Sequence, residues 1–304
     1  MHLSIQQLNQ LSDIALNTVL LAGHYIETVD KSRLNTQLKD SGSTLSSQVV
    51  TEVDLKSQAI IIEQLQSSCE QYDIALLSEE NCADVPINEH TRFSKDYFWC
   101  IDPLDGTLPF VEGRTGYAVS IALVTKNGTP IISAIYLPAT STSYQTKIDS
   151  QNNATVYKNG QMLSSISNAQ QNVLTVYCDQ SFIGHAHYKP LIDKLTELLE
   201  QFNLQSINVI SGSGAVVNAL SVIETPFAIY IKLPKQQPGG GALWDFSGTA
   251  CIAQALNGWV SDAEGLRLDL NQTDSYYMNK RGVIFSSHNT LAIKVIEQCK
   301  GLSY

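Results

Sequence analysis

The chain has no cluster of Lys and Arg. Its 19 basic residues are outnumbered by 29 acidic ones, a formal charge of -10, whereas a nucleic-acid or anionic-membrane surface needs the opposite balance. No nucleic-acid polymer is therefore expected as a partner. No apolar run reaches the roughly 18 residues of a membrane span, and no basic segment followed by an apolar one opens the sequence. We expect no membrane partner and a cytoplasmic location. The six cysteines, Cys69, Cys82, Cys100, Cys178, Cys251 and Cys299, form no C-x-x-C pair and have no His at zinc spacing. Neither a zinc site nor a disulfide framework is expected, and reduced thiols are the simplest reading. The histidines, His185 and His187 included, are not grouped with acids in a metal pattern. Internal repeats and low-complexity linkers are missing too. What remains is an ordinary globular composition, 43% hydrophobic and 16% charged, over 304 residues, enough for one large two-part domain or two domains.

The hydrophobic pattern divides the chain. Residues 3–30 carry Leu8, Leu11, Ala15, Val19 and Ile26 at mostly helical spacing, which predicts a long amphipathic helix with a core-facing side. A polar loop is expected at 39–48. A second helix is expected over 55–69, capped by Thr51 or Asp54, then a short strand at 74–77 that ends in Ser78-Glu79-Glu80. Residues 97–101 read as a buried strand stopping at a turn. Alternating segments at 117–124, 131–137, 143–148 and 154–157, with turns at Lys126-Asn127-Gly128 and Lys158-Asn159-Gly160, predict an antiparallel meander. Residues 1–160 thus group as an α+β unit. In 161–304 the rhythm changes to an α/β unit: strands at 173–177, 206–210, 227–233, 258–262 and 283–286, helices at 188–202, 214–223, 246–256 and 290–299. Asp262 and Asp269 read as turn residues.

The chemistry gathers where apolar runs stop at acids. Asp102-Pro103-Leu104-Asp105-Gly106-Thr107 follows the strand at 97–101. Pro103 disfavours helix at Asp102, so the two carboxylates, three apart across a turn, can converge. Close carboxylates repel unless a cation lies between them, and with the Leu104 carbonyl they make an oxygen donor set suited to Mg²⁺. The Gly106 and Thr107 N–H groups can hold a phosphate. A plain surface turn explains the hexapeptide about equally well, because all of it except Leu104 is common turn chemistry. Asp245, after Trp244, reads as the N-cap of the helix behind it, although three preceding glycines permit a closer approach of backbone than a cap needs.

Together the four separated motifs Val50-Thr51-Glu52-Val53-Asp54, Glu79-Glu80, Asp102 to Thr107 and Trp244-Asp245 resemble the inositol monophosphatase superfamily of Mg²⁺-dependent, lithium-sensitive phosphatases. The resemblance covers roughly residues 5–290 and implies a layered α/β/α/β/α sandwich. It implies that Glu79, Asp102, the Leu104 carbonyl and Asp105 hold the first metals and that Asp245 joins Asp102 and Asp105 at a second, for two or three Mg²⁺ ions in all. It also implies that Thr107, oriented by Asp54, helps Glu79 position and deprotonate the attacking water, with Gly106 and Thr107 on the phosphate. The substrate would be a small phosphorylated metabolite.

Departures bear on which one. Inositol-specific members carry a Glu seven residues before the Asp of Trp-Asp, and here that position is Pro238. Gln48 stands where many members have an Asp, which weakens the case for a third metal. Residues 110–113 and 118–122 resemble the inositol monophosphatase branch, whereas Gly212-Ser213-Gly214 resembles the 3'(2'),5'-bisphosphate nucleotidase branch, where that turn lies beside the nucleotide. The balance favours, narrowly, an inositol-phosphate-like or other sugar or polyol monoester, with the nucleotidase as alternative. A metal- and phosphate-binding relative without turnover is the alternative of another class. Relatives include dimers and monomers, so a homodimer is left open.

Overall fold

The computed structural model describes residues 2–31, 36–38, 49–164, 171–300 and 302. The expected polar loop at 39–48, with Gln48, lies outside them.

The first half builds one sheet and covers one of its faces. Helix α1 (Ile5–Thr28) opens on a reciprocal cap in which Ser4 and Gln7 each accept the other's backbone N–H. This satisfies two donors that the first helical turn leaves over. A short ribbon, β1 (Thr36–Leu38) with β2 (Val49–Thr51), precedes α2 (Glu52–Tyr72). Then come β3 (Ala75–Ser78), β4 (Tyr97–Asp105), the short α3 (Thr107–Val111), β5 (Ala118–Thr125), β6 (Pro130–Leu137), β7 (Thr142–Ile148), β8 (Ala154–Lys158) and β9 (Gln161–Leu163). Strands β3 to β9 form a seven-stranded sheet in sequence order, parallel at β3/β4 and antiparallel elsewhere.

The second half adds β10 (Val173–Cys178), α4 (Gln180–Ile183), α5 (Tyr188–Thr196), β11 (Ser206–Ser211), α6 (Ala215–Glu224), β12 (Ala228–Lys232), α7 (Leu243–Ala255), β13 (Trp259–Ser261), β14 (Val283–Ser286) and α8 (Asn289–Cys299). Its five strands run β11-β10-β12-β14-β13, parallel among the first three and antiparallel after them.

Side-chain alternation along the strands explains the layering. In β4, Trp99 and Ile101 face α1 and α2, while Phe98 and Cys100 face α6 and α7. In β12, Tyr230 faces that same middle helix layer, while Ile229 and Ile231 meet α5 and α8. Helices α6 and α7 thus lie between two sheets, giving α/β/α/β/α. A strand buried on both faces needs a continuous apolar run, and β5, Ala-Val-Ser-Ile-Ala-Leu-Val-Thr, is buried over all but its last residue. Each fully buried Leu, Ile or Phe contributes about 1.5–3 kcal/mol. Trp99, completely buried, satisfies its indole by donating to Ser68 Oγ at 3.0 Å.

Four expectations need correction. Strand β4 does not stop at Ile101 but runs through Asp105. The helix expected over 188–202 ends at Thr196, with a 3-10 turn at Glu200–Phe202. Thr51, not Asp54, is the N-cap of α2; Asp54 is its third residue. Asp245 is likewise the third residue of α7, whose N-cap is Ala242.

Helix α1 packs against β5, β6 and β7 with Gly23 directly over Tyr136: a Cβ there would lie 2.1 Å from the ring. Gly23→Ala should destabilise the fold by about 1–3 kcal/mol, the usual cost of overpacking, read as a lower urea midpoint. An unchanged midpoint would show that this helix-on-sheet contact is slack.

Candidate metal centre

A regular strand puts residues 102 and 105 on opposite faces, because their separation is odd. Between Asp102 and Asp105 the register of β4 slips: Asp102 pairs with Ser120, and Asp105 with Ala118. Three steps along β4 match two along β5. The extra residue is a bulge, which reverses the parity and brings both carboxylates to one side. Pro103, with no N–H to lose from the ladder, sits in it, and its carbonyl accepts from Ser57 Oγ at 2.7 Å. Gly106 follows in the left-handed conformation that starts α3.

Asp105 ends at the N-terminus of α6. Its two oxygens accept from the backbone N–H groups of Ala215 and Val216, each at 2.9 Å, where unpaired N–H groups and the helix dipole favour an anion. The N-cap is Gly214, and no other residue fits: a Cβ would stand 2.3 Å from Asp105 Oδ2. Asp245 accepts the Ala242 N–H at the start of α7. Asp102 Oδ1 accepts from Leu104 N at 3.1 Å, while Oδ2 is buried with no hydrogen-bond partner.

Among the described residues, Asp102, Asp105 and Asp245 are the acidic group whose ligand atoms lie within 4.8 Å of one another, and all three are buried. Burial pushes each carboxyl up. Glu79 and the neighbouring aspartates push Asp102 further, well above the usual range, and Asp245 does so to Asp105, against the α6 N–H groups. Asp245 rises to about 6, from burial and then Glu79, opposed by the Ala242 N–H and Lys232. Converging carboxyl oxygens with one orphaned atom form the hard-oxygen donor set of a divalent cation. Such a cation fits, because it removes both the repulsion and the unpaired oxygen.

The other residues singled out in the sequence surround this group. Glu79, half-buried, stands on the wall of the same cleft of about 370 Å³, outside the 4.8 Å group. Leu104, Gly106, Thr107, Gly212, Ser213 and Gly214 line it too. The Leu104 carbonyl accepts from Thr107 Oγ1 at 3.1 Å, and Thr107 Oγ1 also donates to Asp54 Oδ1 at 2.8 Å. Asp54 lies behind the wall, its Oδ2 taking the Thr51 N–H at 2.8 Å and the Thr51 hydroxyl at 2.6 Å. Burial raises its pKa against those hydrogen bonds.

Sequence reasoning passed over the cations and their partner in this cleft: Arg114, whose Nη1 donates to the Gly212 carbonyl at 2.6 Å, and Lys232, paired with Asp179. A lysine closing the apolar strand Ala228–Lys232 was the available signal, since a charge at a strand end next to a glycine-rich loop suits an anion.

A sequence profile described as the Inositol monophosphatase family matches residues 7–301. The 3'(2'),5'-bisphosphate nucleotidase CysQ of Haemophilus influenzae is 32% identical over 143 residues, 46% of this chain and 49% of that protein. CysQ of Salmonella typhimurium is 26% identical over 227 residues, 75% of this chain and 81% of that protein. The matched stretch therefore spans about half of the first relative and about four fifths of the second. The IMPase of Thermotoga maritima superposes with a TM-score of 0.69 at 19% identity, covering 96% of this chain and 98% of that one; at that identity the likeness speaks for the fold. The profile match runs almost end to end over the strands and helices that carry the acid cluster, and the chain belongs to the inositol monophosphatase family, whose members are phosphoric monoester hydrolases.

Proposed function

We propose that the chain is a Mg²⁺-dependent, lithium-sensitive phosphatase that hydrolyses a phosphate monoester of a small metabolite with a metal-activated water. The observation that carries this reading is the convergence of three buried aspartates, one with an orphaned oxygen, on a cleft that also exposes Thr107 and two basic side chains. Asp102, Asp105 and Asp245 would hold two or three ions, completed by Glu79 and the Leu104 carbonyl. Bound there, Mg²⁺ would polarise the phosphoryl oxygens, lower the pKa of a water and stabilise the leaving oxygen.

The chain's own groups do the rest. Thr107 directs its single hydroxyl hydrogen at Asp54 Oδ1, the shorter of its two contacts at 2.8 Å, so the lone pairs of Oγ1 are left to accept from a water in the cleft and orient it. Glu79, on the same wall, receives that water's proton. The backbone N–H groups of Gly106 and Thr107 and the Lys232 ammonium bind phosphate oxygens in this scheme. A reducing cytoplasm suits the six cysteines, none of which is in a disulfide. No described helix is long and apolar enough to cross a membrane.

On substrate, the nucleotidase names of two relatives at 26–32% identity support a 3'(2'),5'-bisphosphate nucleotide, as does Pro238 in place of the inositol-binding Glu. The polyol monoester favoured by residues 110–113 and 118–122 is the competing reading, and a substrate panel separates the two.

Phosphate release from adenosine 3',5'-bisphosphate, inositol 1-phosphate, fructose 1,6-bisphosphate and glycerol 2-phosphate should require Mg²⁺, stop in EDTA and fall with Li⁺. Asp105→Asn should lower it by about a hundredfold or more, the scale of losing a preorganised electrostatic group. Release that survives EDTA, or an unaffected mutant, would sink the scheme; no release from a protein that still binds Mg²⁺ would favour the non-catalytic relative.

The acid cluster also sets a pH dependence in the metal-free protein. Asp245 titrates at about 6 when folded and at about 3.9 unfolded, so the native state holds this proton more tightly. The stability it contributes is full below about pH 4 and lost as pH rises through about 6. In EDTA the melting temperature should fall from pH 5 to pH 7, and saturating Mg²⁺ should oppose that fall. A metal-free melting temperature that climbs over this range would contradict the shift.

A further inference from the structure

Glu79 comes from a 3-10 turn, Glu79–Asn81, that follows β3, whereas Asp245 belongs to the first turn of α7. The two lie far apart in the chain, and their spacing depends on what spans from that turn to that helix. Tyr276, in the segment between β13 and β14, touches both. Its hydroxyl donates to the Cys82 carbonyl at 2.9 Å, and its own carbonyl accepts the Leu243 N–H at 2.9 Å. Cys82 closes the Glu79 turn, its N–H directed at the Glu79 carbonyl at 3.4 Å. Leu243 is the first residue of α7, two before Asp245. The Tyr276 ring also packs on Trp244, with centroids 5.8 Å apart. Cys82 and Trp244 line the cleft together with the acids.

Tyr276 is itself held from behind. The fully buried Arg92 places its guanidinium 5.4 Å from the centroid of the Tyr276 ring and 4.1 Å from that of Phe93. Arg92 Nη1 donates to Asn271 Oδ1 at 2.5 Å, and Nη2 to the Gln272 carbonyl at 2.9 Å. Asn271 Nδ2 in turn donates to the Lys126 carbonyl at 2.7 Å, and Gln272 Nε2 to the Tyr277 carbonyl at 2.7 Å. Beyond Tyr276 the segment pairs with the glycine-rich loop, through Met278 N to the Gly241 carbonyl at 2.9 Å and an antiparallel bridge between Ala242 and Tyr277. A planar guanidinium that donates in two directions and stacks on a ring fixes both the backbone and the ring it touches. Tyr276 thus has a rigid footing on one side and the two acid-bearing segments on the other.

We propose that Tyr276 is a positioning residue of the metal centre, a strut between the Glu79 turn and the first turn of α7 that sets how Glu79 and Asp245 share a divalent cation. The inference rests on the metal-dependent reading above. Mg²⁺ demands near-ideal octahedral geometry, so an error in the span between two of its ligands lowers affinity, and groups outside the ligand shell act through the ligands they orient.

The test is a double-mutant cycle read by calorimetric titration of the EDTA-stripped protein with Mg²⁺: the unmodified chain, Tyr276→Phe, Glu79→Gln and the double variant. Phenylalanine keeps the ring against Arg92 and Trp244 and removes only the hydroxyl. Tyr276→Phe should weaken Mg²⁺ binding about three- to tenfold, the scale of one neutral hydrogen bond. In the Glu79→Gln background the same change should cost less than about twofold, because the strut acts through Glu79. A role in the fold alone would lower the urea midpoint of the metal-free protein and leave the affinity as it was. Affinity unchanged within about twofold in Tyr276→Phe overturns the strut, as does an equal loss in both backgrounds, which would place the effect on α7 alone. If the unmodified protein binds no Mg²⁺, the metal reading itself fails and the strut with it. Calorimetry does not depend on turnover, so a protein that binds Mg²⁺ yet releases no phosphate is judged by the same four affinities.

Discussion

Three carboxyl groups buried within 4.8 Å of one another cannot all be ionised without help, because repulsion inside a protein is far less screened than in water. Protons or a cation must resolve the conflict, and the structure around the cluster is arranged for the second. The N-termini of α6 and α7 direct N–H groups at Asp105 and Asp245, which favours the charged form. One buried oxygen of Asp102 accepts no hydrogen bond from a protein N–H or hydroxyl. The cluster is thus held ready to coordinate, at a cost in stability that a bound cation offsets.

That arrangement depends on the layers. Asp102 and Asp105 come from β4 in one sheet, Asp245 from the first turn of a helix between the sheets, and Lys232 from the other sheet. Close packing fixes the offsets: Gly214 meets the Asp105 carboxylate with no room for a methyl group, and Thr107 and Asp54 join α3 to α2 behind the cleft wall. Two-sided burial of β4 and β5 makes the central frame stiff, and the ends of these elements carry the polar groups.

Much of this was legible in the sequence, for identifiable reasons. Periods of 3.6 and 2 marked α1, the meander and the α/β rhythm of the second half, because each element has a face or a pair of faces to bury. The Asp102 to Thr107 motif announced its donors, but the way they converge was hidden: the parity change depends on pairing with β5, which no local pattern reveals. Asp245 looked like a cap because the glycine run masks Leu243 and Trp244 as loop, whereas extended backbone at Ala242 starts the helix earlier. Lys232 and Asp179 drew no attention. Asp179 follows β10, while Lys232 ends β12, and only the parallel pairing of these strands brings them together. Such pairs are tertiary and leave little local signal.

Calorimetric titration of the EDTA-stripped protein with Mg²⁺, beside Asp102→Asn, is the most direct test that the buried aspartates form a cation site. The predicted result is saturable binding by the unmodified protein and affinity at least about tenfold lower in the variant, since one charged ligand is lost. Absence of binding by the folded protein, or equal affinity in both, would contradict it.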